Sequence, residues 1–167
     1  MKIRKAFKTS WSHLHAPARL SVDRYGDLIY DLCLSTLRTP AQAQVAFRRI
    51  IKKLKSQTQS FSKYERGWVL SITVKTLIQS HQDRDQNPSA QEQLQLDSET
   101  ILEKRLHHFF YYLHRIPIEN QILLLLKDKH QIPFSDISLA LSIPEGSLKL
   151  QYQQSLSTLE EWLWKTP

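Results

Sequence analysis

The sequence predicts an all-α chain of two small helical domains joined by a polar linker, the second domain carrying a helix-turn-helix. Three observations lead there. The 167 residues include only three Gly and few strictly alternating apolar and polar runs, which leaves helices as the main element. Apolar residues recur at helical spacing, as Phe47, Ile50, Ile51 and Leu54 and again as Leu148, Tyr152, Leu156, Leu159 and Leu163. Between these two stretches, residues 81–98 are polar and Gln-rich, with little to bury.

Taken in order, residues 1–20 form a basic tail with Pro17 near its end. Lys2, Arg4, Lys5 and Lys8 have the look of a charged leader start, but no apolar core follows them. The first domain, residues 21–80, is expected to hold helices over Val22–Leu37, Ala41–Lys55 and Lys63–Ser80. Ser62-Lys63-Tyr64-Glu65 fits a capping box at the start of the third. Residues 81–98 are the linker. The second domain, residues 99–167, opens with a helix over Glu99–Arg115 that buries Leu102, Leu106, Phe109 and Leu113. A short buried helix follows, with Pro117 in its first turn. Next comes a helix turning Ile137, Ala140 and Leu141 inward, a Ser-Ile-Pro-Glu-Gly turn at residues 142–146, and a last helix along the Leu148 to Leu163 stripe.

Composition narrows the class. A hydrophobic content of 41% is adequate for buried cores, and no run approaches the roughly 18 apolar residues of a membrane span. The single cysteine, Cys33, makes no internal disulfide and reads as a small apolar residue on an inward helix face. That usage suits a reducing, cytoplasmic setting. The charge is unevenly divided. Residues 1–82 hold 15 Lys and Arg against 4 Asp and Glu, residues 83–167 hold 8 against 12, and the resulting +11 and −4 make up the net +7. Electrostatic attraction to a phosphate backbone is therefore centred on the N-terminal half.

The candidate site residues follow from these patterns. Arg48, Arg49, Lys52, Lys53 and Lys55 occupy the polar surface of one helix without an acid among them, a basic face for DNA or an acidic partner. Phe61 and Tyr64, with Lys75 further on, are candidates for contact with unpaired bases, whereas Trp68 is expected in the core. The last helix offers Ser147, Lys149, Leu150, Gln151, Gln153 and Gln154 to the major groove, where Gln can read adenine through paired hydrogen bonds. His107, His108 and His114 lack metal-ligand spacing and read as packing or surface residues. No catalytic triad, phosphate loop or carboxylate pair can be argued from spacing, so neither an enzyme nor a cofactor or metal site is expected.

Four of these segments occur in an order that resembles a known family. They are Ile116-Pro117, the apolar run Ile122 to Leu126, Asp136-Ile137-Ser138, and Ile143-Pro144-Glu145-Gly146-Ser147-Leu148-Lys149. Together they are similar to the promoter-reading domain of extracytoplasmic-function RNA polymerase sigma factors. Thr39-Pro40-Ala41-Gln42-Ala43 and Gly67-Trp68-Val69-Leu70-Ser71-Ile72-Thr73 resemble that family's first domain, so the likeness covers about residues 20 to 163. It implies a DNA-binding initiation factor in which residues 20–82 engage core RNA polymerase and the −10 region and residues 99–163 read the −35 element. An anti-sigma factor is a possible further partner, and no membrane insertion is expected. Where the family has acidic docking residues this chain has Gln44 and Val45, and where the family has Arg on its recognition helix it has Gln. A second class therefore stays open, a degenerate sigma-like interaction module that binds an anti-sigma factor or other regulator without initiating transcription.

Overall fold

A computed structural model of the chain describes residues 16–37, 39–56, 65–85 and 109–165, and every regular element among them is helical. In order these are α1 (Ala16–Thr36), α2 (Pro40–Ser56), α3 (Glu65–Asp85), α4 (Ile118–Leu124), a π-helical segment (Leu125–Lys129), α5 (Phe134–Leu141) and α6 (Glu145–Lys165). Residues 109–113 are also helical.

The first helix starts earlier than its apolar pattern suggests, inside the expected tail. Pro17 falls in its first turn, where a missing N–H leaves no helical bond unmade. After α1, Thr39 caps α2. Its hydroxyl accepts the Gln42 N–H at 3.3 Å, its carbonyl accepts the Ala43 N–H at 3.0 Å, and Pro40 takes the first helical position. The expected apolar face of α2 is buried: Phe47, Ile50, Ile51 and Leu54, joined by Ala43 and Ala46. Tyr30 of α1 meets the Phe47 ring edge-on at 5.4 Å.

Helix α3 is described from Glu65, and Ser62 of the expected capping box lies outside the described residues. Glu65 is tied instead to α1, accepting from the Ser21 hydroxyl and from Arg24, each at 2.7 Å. At its other end α3 continues to Asp85, so the first residues of the expected linker are helical. Side-chain partners account for this extra turn: Arg49 of α2 and Gln79 of α3 both donate to Asp83, at 2.9 and 3.0 Å. The remainder of the linker lies outside the described residues, as do Leu102 and Leu106.

In the C-terminal half, Pro117 precedes α4 as its cap with extended ψ 144, rather than sitting in the first turn. Its carbonyl accepts the Asn120 and Gln121 N–H groups, both at 3.0 Å. Gln121, Ile122, Leu123, Leu124, Leu125 and Leu126 are buried in succession. A helix buried all round must be covered on every side. Helices α1, α3 and α6 all pack on α4. The π segment ends this run, with the His130 N–H reaching back to the Leu125 carbonyl at 3.1 Å and Gln131 turning left-handed at φ 54.

A three-residue turn, Ser142 to Pro144, separates α5 from α6. Ser142 adopts the left-handed conformation (φ 59, ψ 36), and the Ser138 hydroxyl donates to the Ile143 carbonyl at 2.6 Å, which holds the turn closed. Ile137, Ala140, Leu148 and Leu159 are buried, while Leu141, Tyr152, Leu156 and Leu163 pack half-buried against them.

The two halves are in direct contact, and their buried residues form one continuous core. Helix α3 of the N-terminal half packs most extensively on α5 of the C-terminal half. Gly67 lies at this contact, where a Cβ would stand 3.3 Å from Leu139 Cδ1, tighter than an ordinary van der Waals contact. Arg66 pairs with Asp136 beside it. Across the seam between α1 and the π segment, Asp31 holds Lys129 at 2.8 Å and faces His130 at 2.9 Å.

Candidate nucleic-acid interface

The five cations of α2 divide into two stripes by helical geometry. Arg49 and Lys53, four residues apart, turn toward α3, where Arg49 pairs with Asp83 at 2.9 Å and Lys53 donates to the Thr76 hydroxyl at 3.1 Å. Arg48, Lys52 and Lys55, at i, i+4 and i+7, form the outer stripe. They are exposed and carry no ion pair or hydrogen bond among the described residues. At a rise of 1.5 Å per residue the stripe spans about 10 Å, which aligns three positive charges along one helix face. The structure therefore brings together only three of the five basic residues as a free surface.

Lys75 is exposed on α3. Phe61 and Tyr64 lie outside the described residues. Trp68, expected in the core, is half-buried and packs against it.

On α6 the expected reading residues point outward. Ser147, Lys149, Leu150, Gln153 and Gln154 are exposed and Gln151 is half-buried, while Leu148, Ser155 and Leu159 face the core. No atom approaches within 4 Å of where a Cβ on Gly146 would stand, so the first turn of the helix is open. The one cation among these residues is not free, because Lys149 pairs with Glu145 at 2.7 Å and lies 5.7 Å from the centre of the Phe134 ring. Further along, Glu160 and Glu161 are exposed on the same helix.

Periodicity alone does not reveal Lys127, half-buried in the π segment, whose ammonium lies 4.9 Å from the Phe134 ring centre. The Phe134 ring also meets Tyr152 edge-on at 5.5 Å. The Tyr152 hydroxyl donates to Asp128 at 2.6 Å, and that carboxylate pushes the phenol up to about 12, so Tyr152 is a fixed neutral donor joining α6 to the π segment. Lys127 of the π segment and Tyr152 of α6 thus meet at the Phe134 ring, a grouping that the spacing of Lys127 along the chain does not signal.

Other candidates have structural surroundings. His114 Nε2 lies 3.0 Å from the Ser35 carbonyl, which can only accept, so that nitrogen carries a proton. His107 and His108 lie outside the described residues, and among the described residues no group of three His, Cys, Asp or Glu could hold a metal ion. Cys33 is fully buried and burial pushes its thiol up to about 12, far from a nucleophilic state. No described helix is long and apolar enough to cross a membrane.

No protein-family model matches this chain, and no curated protein sequence matches it.

Proposed function

We propose that the chain is a DNA-binding transcription initiation factor similar to an extracytoplasmic-function sigma factor, directing core RNA polymerase to promoters. In this reading α6 presents its Gln-rich outer face to the major groove and the outer stripe of α2 neutralises phosphates. The observation that carries it is the two-sided nature of α6, with Leu148 and Leu159 committed to the core and Ser147, Gln153 and Gln154 projecting from a helix whose first turn is open. The order of motifs from Ile116 to Lys149 adds the sigma-like assignment. Phosphate attraction comes from Arg48, Lys52 and Lys55, because Lys149 is already paired with Glu145.

A second reading is favoured by that same pairing and by the acids on α6: a sigma-like module that binds an anti-sigma factor or other regulator and does not initiate transcription. Purified chain incubated with core RNA polymerase separates the two. Retention of polymerase, and transcription from a selected promoter by the reconstituted complex, is the expected result. A chain that retains no polymerase and selects no duplex sequence would leave the interaction module as the better account.

A further inference from the structure

Helix α6 carries an outer surface that its packing leaves uncovered. Leu150, Ser157 and Trp164 recur at seven-residue spacing, so they fall on one line along the helix, about 21 Å from end to end. All three are exposed, Leu150 at 56% and Trp164 at 86%, which makes Trp164 the most exposed large apolar side chain among the described residues. Two pairs at the same spacing flank this line, Gln153 with Glu160 on one edge and Gln154 with Glu161 on the other, and all four are exposed. Gln153, Gln154, Ser157 and Glu160 carry no side-chain hydrogen bond or ion pair among the described residues. The order along the surface is apolar, amide, hydroxyl, carboxylate, apolar. Reversed, it is its own complement.

We propose that this surface is a self-association site, on which a second copy of the chain lays its own α6 antiparallel, about a two-fold axis beside Ser157. Leu150 then meets Trp164 of the second copy at either end. Gln153 comes level with Glu160 of the second copy on one edge, and Gln154 with Glu161 of the second copy on the other, so each amide N–H donates to a carboxylate. A carboxylate accepts several hydrogen bonds, so Glu161 can keep a partner in its own chain as well. The small Ser157 side chain at the crossing lets the two helices approach closely. A two-fold interface uses the same patch on both copies, a condition that this self-complementary order meets. A parallel arrangement does not meet it, because Glu160 and Glu161 of both copies would lie side by side and repel. The antiparallel one separates like acids along the axis by about 9–12 Å, near the Debye length at physiological salt. Trp164 is the anchor, since binding energy at interfaces concentrates in residues of this type. One helix stripe is a small contact, so the dimer is a reversible one. The association needs no DNA, so it stands apart from the DNA-binding reading, in which the same Gln153 and Gln154 face base edges.

Sedimentation velocity of the full chain at rising protein concentration tests the site. The expected result is a reversible rise from the monomer mass to twice that mass. Trp164→Ala should weaken association at least about tenfold. Gln153→Glu, which sets a second acid against Glu160 of the second copy, should weaken it to a smaller extent. Both positions are exposed, so both variants should unfold at the parent's temperature. Orientation is read with a short bismaleimide cross-linker, to which buried Cys33 is not accessible. Ser157→Cys should link to itself, because the two-fold axis passes beside it. Gln153→Cys and Glu160→Cys should each link poorly alone and should link when the two chains are mixed. A parent that stays monomeric at every concentration overturns the site, and so does association that Trp164→Ala leaves unchanged. Linking at Ser157→Cys without linking in the mixture overturns the antiparallel pairing. DNA selection by α6 is read separately, with the polymerase and duplex assays above, so either reading can fail alone.

Discussion

Helices α2 and α6 are both amphipathic and both expose polar faces, but they are built for different kinds of contact. Helix α2 exposes five cations, three of them without an ion pair or hydrogen bond among the described residues, and no acid, so its attraction acts over a Debye length and distinguishes little between sequences. Helix α6 exposes amides, a hydroxyl and one lysine already held by Glu145, so its contacts depend on hydrogen-bond geometry at short range. The difference is one of chemistry: α2 offers unpaired positive charge, and α6 offers hydrogen-bonding groups held in fixed geometry. Helix α4 is covered by elements of both halves, α1 and α3 from the first and α6 from the second.

That shared element yields the largest expected effect. Leu123→Ala removes a fully buried side chain from the helix that both halves cover, and should cost about 2–5 kcal/mol. The loss should appear in a single unfolding transition reported equally by probes in α2 and α6. Two separate transitions would break the picture of one continuous core and restore two independent domains.

Next in size is the contrast in salt dependence. Replacing Arg48, Lys52 and Lys55 together by Ala should lower the slope of log affinity for random duplex against log salt by up to about 3, close to one per phosphate contact. Arg49→Ala should leave that slope nearly unchanged, since Arg49 is engaged by Asp83. Equal effects of the inner and outer stripes would erase the division of α2 into structural and binding cations.

On α6 the expected effects are on discrimination. Gln153→Ala with Gln154→Ala should weaken binding to a selected promoter sequence by roughly 1–3 kcal/mol for each base that these amides read, and leave random duplex almost unaffected. If competition assays show the same weakening on both DNAs, α6 contributes attraction and not reading.

The smallest effect concerns pH. Burial is the main cause holding His130 below the ordinary imidazole value of 6.5, aided by Lys129, with the Asp31 carboxylate opposing them. Near that value the unfolded chain binds more protons at this position than the folded one. The stabilising contribution is therefore present above 6.5 and is lost as pH falls through 6.5 toward the lowered folded-state value. Denaturant titrations at several pH values should show this loss in the parent, and His130→Gln should flatten it. A parent profile that matches the variant's would mean that His130 is as hydrated in the folded chain as in the unfolded one.

The sequence was informative wherever structure follows from neighbours along one helix. The burial of Phe47, Ile50, Ile51 and Leu54, the inward Ile137 and Ala140, the alternation of Leu148 and Leu159 with exposed Gln residues, and the inert Cys33 all follow from a period of 3.6 residues. It was less informative at helix ends. Helix α1 starts within the expected tail, α3 extends into the expected linker, and Pro117 caps α4 from outside. At the end of α3 the cause is a partner that periodicity does not include, Arg49 reaching Asp83 across 34 positions, whereas the starts of α1 and α4 are marked by prolines rather than by an apolar period.

By itself, then, the sequence determined the all-helical class, the inner and outer faces of α2, α5 and α6, and the outward placement of Gln153 and Gln154, because these depend on contacts within a few residues. Only the tertiary structure decided which cations of α2 are free and that Lys127 and Tyr152 gather at Phe134. It alone also decided that the six buried residues from Gln121 to Leu126 are covered by both halves of the molecule. The physical reason is that burial and charge neutralisation are satisfied by whichever groups come near in space. A run that is apolar all round states the need for cover on every side without stating what supplies it.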